Sequence, residues 1–180
     1  FNALSPKAIE VSKRSKIPKA YLAWDEILES NKNGYWPTTP STNLLYGLHE
    51  AMDMMMNEGL DNIFARHQRL GEACRRAVAA WGLENQCQDS STYSPVLTAA
   101  LVPEGMDADR VRKHALEKFN LSLGTGLGKL KGKVFRIGHL GDCNDLSLMA
   151  ALSGVEMSLG AMGFKPKESG VVAAQEFLKQ

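Results

Sequence analysis

Among the residues of this chain, an arginine inside an apolar stretch is the best suited to ligand chemistry. Arg136 lies between Val134 and Ile137, in a segment whose pattern predicts a strand over residues 133–140. A guanidinium group keeps its charge in a protein and is costly to bury alone, so it usually meets a carboxylate or phosphate through its two-pronged face. The partner of Arg136 is therefore either an internal Asp or Glu or an anionic ligand.

A group of hydroxyl side chains is the second candidate. Residues 35–41 read Tyr-Trp-Pro-Thr-Thr-Pro-Ser. The two prolines exclude a regular element, and the two aromatic residues favour an ordered loop over a floppy one. Together with Arg136, this loop points to a small anionic substrate and a phosphorylated cofactor, although either feature could be structural alone.

Motifs for other chemistries are incomplete. Residues 124–129 read Gly-Thr-Gly-Leu-Gly-Lys, but Leu130 stands where a P-loop needs Ser or Thr, and the dinucleotide-binding spacing is also absent. The four histidines are scattered, so we predict no metal site, and we interpret His67 as a histidine at the edge of the core. No G-x-S-x-G motif is present.

The composition argues against several classes of partner. The formal net charge is +1, from 21 basic and 20 acidic residues, so no strong field attracts nucleic acid or an anionic membrane. No apolar run is long enough to span a bilayer. Cys74, Cys87 and Cys143 are too widely spaced for a zinc site or a disulfide framework. We therefore expect a soluble protein of a reducing compartment, without nucleic-acid or membrane partners.

The elements that must position Arg136 and the loop follow from the periodicity. In the first part we predict a strand over 1–4, a helix beginning at Ser5-Pro6, a helix from Ser41 or Thr42 to Gly59, and a helix over 60–81. The methionines at 52, 54, 55 and 56 are interpreted as adaptable core residues.

Beyond Gly82 the pattern predicts an α+β layer. Its expected elements are a strand over 96–102, a helix capped by Asp107, a strand over 121–123, a mobile loop over 124–128, the strand over 133–140, a helix over 144–162 and a short helix in 165–180. At 180 residues, the chain could hold one domain, or a small domain with a piece of another.

Several segments together resemble the C-terminal half of serine-glyoxylate aminotransferases, class V enzymes of fold type I that use pyridoxal 5'-phosphate. The segments are 34–40 (GYWPTTP), 44–48 (LLYGL), 58–63 (EGLDNI), 79–83 (AAWGL), 132–141 (GKVFRIGHLG) and 154–159 (GVEMSL). The resemblance implies an α/β fold in which 1–59 is the end of the large cofactor-binding domain and 60–180 is a small α+β C-terminal domain.

The resemblance also implies roles for particular residues. Arg136 matches the family arginine that binds the substrate carboxylate through a bidentate bridge. Tyr35 and one threonine of the pair that follows match the loop that crosses to the cofactor phosphate of the neighbouring subunit; Thr39 is preferred and Thr38 is the alternative. Residues 124–128 would lie by the substrate entrance. The family's Schiff-base lysine falls upstream of this chain, so no catalytic residue is expected within it.

The implied function is a transaminase that moves an amino group from serine or alanine to glyoxylate, giving glycine and hydroxypyruvate or pyruvate. The enzyme would be a homodimer, cytoplasmic or, in a eukaryote, peroxisomal, and the 180-residue chain alone would be inactive. One alternative is another class V enzyme, a lyase similar to cysteine desulfurase or kynureninase, although Cys143 is expected at a helix start and not in a mobile loop. The other alternative is a non-catalytic assembly fragment.

Overall fold

A computed structural model describes residues 2–180 of the chain. The strand predicted over 1–4 begins outside these residues, and Asn2 to Leu4 form no regular element. The described chain divides into two compact units, one ending at Met54 and the other spanning Met55–Gln180. None of its helices is both long and apolar enough to cross a membrane.

The first unit is helical. It contains α1 (Pro6–Lys13), α2 (Trp24–Lys32) and the beginning of α3 (Thr42–Glu58). The predicted start of α1 is confirmed, because the Ser5 hydroxyl accepts a hydrogen bond from the backbone N–H of Ala8 at 3.2 Å. Helix α2 was not predicted. No side chain among residues 2–54 is buried, so this unit has no core of its own.

Helix α3 has the predicted position, but its methionines do not have the predicted environment. Met52 is 51% exposed and Met56 is 77% exposed, and α3 contains no buried residue. The interpretation of these methionines as core residues is therefore wrong for this chain. Helical spacing shows which side of a helix is apolar, but it does not show that the same chain covers that side.

Four helices of the second unit match predictions. They are α4 (Leu60–Trp81), α5 (Ala108–Phe119), α6 (Asp145–Ala161) and α7 (Gly170–Leu178). Helix α4 ends at Gly82, which takes the left-handed conformation with φ 80° that favours glycine. The Asp107 side chain caps α5, and Asn144 forms a capping box with Ser147 at the start of α6.

The sheet has four antiparallel strands in the order β1-β2-β4-β3. They are β1 (Glu84–Asn85), β2 (Leu97–Leu101), β3 (Gly124–Thr125) and β4 (Val134–Gly138). The predictions of β2 and β4 are confirmed, whereas β1 was not predicted.

The strand predicted over 121–123 is wrong, and pairing begins at Gly124 instead. The backbone of the preceding segment is already engaged: the Leu121 N–H donates to Ala115 O at 3.1 Å, and Leu123 O accepts from Arg112 Nε at 2.9 Å. Residues 124–125, expected in a mobile loop, are therefore part of the sheet.

One face of the sheet packs against the helices of the second unit. Phe135 and Ile137 of β4 and Ala100 of β2 are at most 1% exposed and belong to a single apolar cluster with side chains of α4, α5, α6 and α7. Successive strand residues point to opposite faces, so Arg136 lies on the face away from this core. On that face Val134 is covered, whereas Arg136 is partly exposed and Gly138 is exposed.

Candidate functional site

Arg136 lies on the open face of the sheet, flanked by two small residues. In the antiparallel register its direct neighbours are Ala99 of β2 and Gly124 of β3. Residues opposite one another in such a pair share a face of the sheet. Leu97, which also lies on this face, is 37% exposed. The guanidinium group therefore lies among neighbours that are small or apolar.

The guanidinium group of Arg136 has no partner among residues 2–180. Its Nε is buried there without a hydrogen-bond acceptor. Within the described residues the group also forms no ion pair, in contrast to Arg66, Arg69 and Arg112, which each pair with a carboxylate. The internal Asp or Glu partner considered from the sequence is thus absent from residues 2–180, and the side chain is half-buried. A charged bidentate donor without an acceptor suits a carboxylate or phosphate ligand.

The Arg136 side chain runs across Gly124. A Cβ atom placed on Gly124 would lie 2.9 Å from Nε, 3.0 Å from Cβ and 3.4 Å from Cζ of Arg136. The arginine therefore occupies the space that a side chain on β3 would fill. This contact also explains why Nε is shielded from water.

Helix α4 holds the backbone that follows β4. Arg66 donates to Gly141 O at 2.9 Å and to Cys143 O at 2.8 Å, while its other nitrogens form a bidentate pair with Glu58. His67 Nδ1 lies 2.7 Å from Ile63 O, and His67 Nε2 accepts from the Gly141 N–H at 3.2 Å. His67 is 7% exposed, so the prediction of a histidine at the edge of the core is confirmed.

A second histidine supports the same end of the strand from inside the core. His139 is fully buried, and its Nε2 lies 3.0 Å from Thr98 Oγ1 of β2. Burial lowers the pKa of His139 to about 4, so the imidazole is neutral at physiological pH. His139 therefore stabilises the pairing of β2 with β4 from the face opposite Arg136.

Helix α5 anchors the short strand β3. Thr125 Oγ1 donates to Asp109 Oδ1 at 3.0 Å, and Arg112 donates to the same oxygen at 2.7 Å. The hydrogen bond from Arg112 lowers the pKa of Asp109, and the Thr125 hydroxyl contributes in the same direction. Gly124 is thereby held in place beside Arg136 by its neighbour in the chain.

The hydroxyl loop 35–41 belongs to the first unit and is exposed. Tyr35 is 72% exposed, and its backbone is fixed by hydrogen bonds with Ser30 and Asn31 at 3.0 Å. Within the described part of the chain, the hydroxyl groups of Tyr35, Thr38 and Thr39 form no hydrogen bond. These three predicted residues are therefore free to bind an external acceptor.

Groups for other chemistries are not assembled in the described residues. No cluster of three or more His, Cys, Asp or Glu residues there could hold a metal ion. Cys143 directly precedes the cap of α6, and its thiol contacts Ser147 Oγ at 3.2 Å, as expected for a cysteine at a helix start. A lyase that needs a cysteine on a mobile loop gains no support from this position.

Known proteins are similar to this chain over nearly its whole length. The chain is 50% identical over 177 residues to a serine–glyoxylate aminotransferase of Arabidopsis thaliana, covering 97% of this chain and 44% of that protein. A protein of the same name from Methylorubrum extorquens is 45% identical, covering 98% of this chain and 46% of the relative. No family model matches the chain.

The fold is shared with a solved structure. The pyridoxamine-pyruvate aminotransferase of Mesorhizobium loti superposes with a TM-score of 0.85 and 30% identity, covering 98% of this chain and 46% of that one. The predicted resemblance and fold class are thus confirmed, and the match is to the C-terminal part of these aminotransferases. The chain spans about half the length of the curated relatives it matches.

Sequence reasoning missed the residues that support Arg136. Gly124 and Thr125 were assigned to a mobile loop, and Arg66 and Ala99 were given no role at the site. The role of Gly124 becomes visible only from the register in which β3 pairs with β4. A single sequence does not define that register, because β3 has only two residues.

Proposed function

We propose that this chain is the substrate-binding part of a pyridoxal 5'-phosphate-dependent aminotransferase that moves an amino group from serine or alanine to glyoxylate. The products would be glycine and hydroxypyruvate or pyruvate. The observation that carries the proposal is Arg136, which lies on the face of the sheet opposite the core and has no partner among the described residues. The names of the relatives support the substrates.

The proposed division of the chain follows the resemblance. Residues 1–59 would complete the large cofactor-binding domain, and 60–180 would be the small domain. The lack of any buried side chain among residues 2–54 supports this division, because a segment without its own core needs other parts of a protein for stability. The lysine that anchors the cofactor would lie in the preceding part of the protein.

Arg136 would bind the carboxylate that all the substrates share. The amino donor and the 2-oxo acid acceptor each carry this group, so one arginine can hold both in turn. A bidentate bridge fixes the direction of the α-carbon as well as its distance, and this restricts the reacting groups to a productive orientation. The small neighbours Ala99 and Gly124 leave the guanidinium group accessible.

The hydroxyl loop fits the phosphate of the cofactor. Tyr35 and Thr39, with Thr38 as the alternative, offer neutral O–H donors that form no bond within the described chain. We infer that they bind the cofactor phosphate of the partner subunit in a homodimer. When bound, the cofactor supplies the electron sink that stabilises negative charge at the substrate α-carbon.

The proposed compartment is the cytoplasm, or the peroxisome if the source is a eukaryote. The free thiols of Cys74, Cys87 and Cys143 support a reducing environment. The substrates would be small amino acids and 2-oxo acids.

The assignment of Arg136 is tested in the full-length enzyme. Arg136→Ala should raise the KM for L-serine and for glyoxylate about a hundredfold, because a carboxylate would lose its bidentate partner. The absorbance of the bound cofactor should not change. The matched control is Arg110→Ala, which removes an exposed arginine of α5 that forms no ion pair in the described chain. Equal KM values in the two variants would refute the role of Arg136.

The role of the loop is tested separately. Tyr35→Phe should weaken retention of the cofactor about tenfold during dialysis, the effect of one hydrogen bond to a charged group, with little change in the KM for L-serine. Tyr21→Phe is the control, since Tyr21 is also exposed and belongs to the same unit. If both variants keep the cofactor equally, the loop does not bind its phosphate through Tyr35.

A further inference from the structure

We propose that Gly124 is a positioning residue for Arg136 and that the absence of a side chain at this point of β3 orients the guanidinium group for carboxylate binding. This inference rests on the proposed function of Arg136. It assigns a role to a second residue, on a different strand, that does not itself contact the substrate.

The contact between the two residues is close and specific. The three heavy atoms nearest to a Cβ placed on Gly124 all belong to the Arg136 side chain, at 2.9 Å to Nε, 3.0 Å to Cβ and 3.4 Å to Cζ. Real Cβ atoms essentially never approach a heavy atom more closely than 3.0 Å. A side chain at position 124 would therefore lift the arginine from the sheet.

The position of Nε determines which nitrogens can bind a ligand. Nε is shielded from solvent and lacks an acceptor, since it lies over Gly124. The carboxylate would therefore approach the two terminal nitrogens, Nη1 and Nη2. This end-on geometry depends on the side chain lying flat across β3, and Gly124 is the residue that allows it.

The surrounding contacts prevent the backbone at Gly124 from moving away from Arg136. Thr125, the next residue, donates to Asp109, which is also held by Arg112. Arg112 in turn donates to Leu123 O on the other side of Gly124 at 2.9 Å. Because α5 fixes β3 on both sides of Gly124, an added methyl group should displace Arg136 more than it displaces the strand.

The experiment compares two ligands that differ by one carboxylate. Binding of L-serine and of ethanolamine to the full-length holoenzyme is followed by the absorbance of the bound cofactor. The dissociation constant of ethanolamine divided by that of L-serine measures how much the carboxylate contributes to binding. Gly124→Ala should reduce this ratio about three- to tenfold, as expected when an arginine is forced away from its preferred rotamer. A purely structural defect would weaken the binding of both ligands equally and leave the ratio unchanged.

Two further variants separate the possible outcomes. Gly160→Ala is the control, because a Cβ there would meet nothing within 4 Å and the residue lies on α6. The double variant Gly124→Ala/Arg136→Ala should have the same ratio as Arg136→Ala alone, since Gly124 acts through the arginine. If Arg136→Ala leaves the ratio intact, the proposed function fails. If Arg136→Ala lowers it and Gly124→Ala matches Gly160→Ala, only the positioning role fails.

A loss of stability in Gly124→Ala is also informative. Should its melting temperature fall, the added substitution Arg136→Ala is expected to recover part of the loss, because it removes Nε and Cζ from the crowded space while the Cβ atom at 3.0 Å remains. A double variant that melts as low as Gly124→Ala would overturn the inference, since the strain would then come from Cβ alone and not from the part of the side chain that carries the guanidinium group.

Discussion

Removing the carboxylate of Glu156 should strongly destabilise the second unit. Its oxygens accept hydrogen bonds from Trp81 Nε1 at 2.7 Å, from Ser169 Oγ at 2.9 Å and from the Val171 N–H at 3.2 Å. One carboxylate thus joins α4, α6 and the start of α7. Trp81 is fully buried, and within the described residues the Glu156 carboxylate is the acceptor for its indole N–H.

The expected magnitude follows from these contacts. Leaving a buried donor unsatisfied costs about 1–3 kcal/mol. Loss of a negative charge from the N-terminus of a helix costs about 0.3–1 kcal/mol more. We therefore expect Glu156→Ala to lower the free energy of unfolding by about 1.5–4 kcal/mol at neutral pH. Glu156→Gln should lose less stability, because its amide oxygen can still accept a hydrogen bond from Trp81.

The effect should depend on pH. Burial alone would raise the pKa of Glu156, but the hydrogen bonds from Trp81, Ser169 and the backbone N–H groups of Val171 and Gly170 lower it overall. A carboxyl group with a lowered pKa stabilises the folded state above its ordinary value of 4.5, and this stabilisation disappears as the pH falls through the folded pKa. The wild-type protein should therefore lose more stability than Glu156→Gln on acidification below that value.

Urea unfolding followed by circular dichroism measures these differences. With a slope of about 2 kcal/mol per molar urea, the midpoint of Glu156→Ala should fall by roughly 0.7–2 M. Glu168→Ala is the control, since Glu168 is exposed and precedes the same helix. A midpoint of Glu156→Ala equal to that of the control, or parallel pH profiles for wild type and Glu156→Gln, would refute the reasoning.

Two other predictions concern packing and thiol chemistry. Gly170→Ala should destabilise the protein by about 1–3 kcal/mol, because the new methyl group would lie 2.5 Å from Trp81 Nε1 and 2.6 Å from Ala77 O. Gly160→Ala, with free space around it, should stabilise by up to about 1 kcal/mol, so shifts of the urea midpoint in the same direction would contradict this account. Burial raises the pKa of Cys74 to about 12, and we expect alkylation of the native protein, read by peptide mass, to modify Cys87 and Cys143 but to reach Cys74 only after denaturation.

Much of the second unit could be predicted because its signals are local. The glycine after α4 and the caps of α5 and α6 define helix ends within a few residues, and the structure has these ends. The apolar pattern around Arg136 likewise predicted β4. An arginine that breaks such a pattern is visible in the sequence itself, so this candidate could be chosen without coordinates.

Other features depend on contacts between distant residues and were missed. Strand β3 has two residues and exists only because Gly124 and Thr125 pair with Arg136 and Phe135. The methionines of α3 show the opposite problem, since their helical spacing is clear but their exposure depends on what lies beside the helix. Whether Arg136 has an internal partner could be decided only once the carboxylates of the second unit were located.

Successive side chains of β4 point to opposite faces of the sheet, and this restricts how this part of the protein can vary between species. Insertions or deletions at the exposed residues 127–129 would change the length of a connection without shifting the phase of β4. An insertion next to Phe135 or Ile137 would shift the phase of the strand by one residue, which would turn the charged guanidinium group into the helical core and expose two large apolar side chains. Lineages should therefore tolerate length changes in the connection and eliminate them within the strand, even where no residue identity is altered.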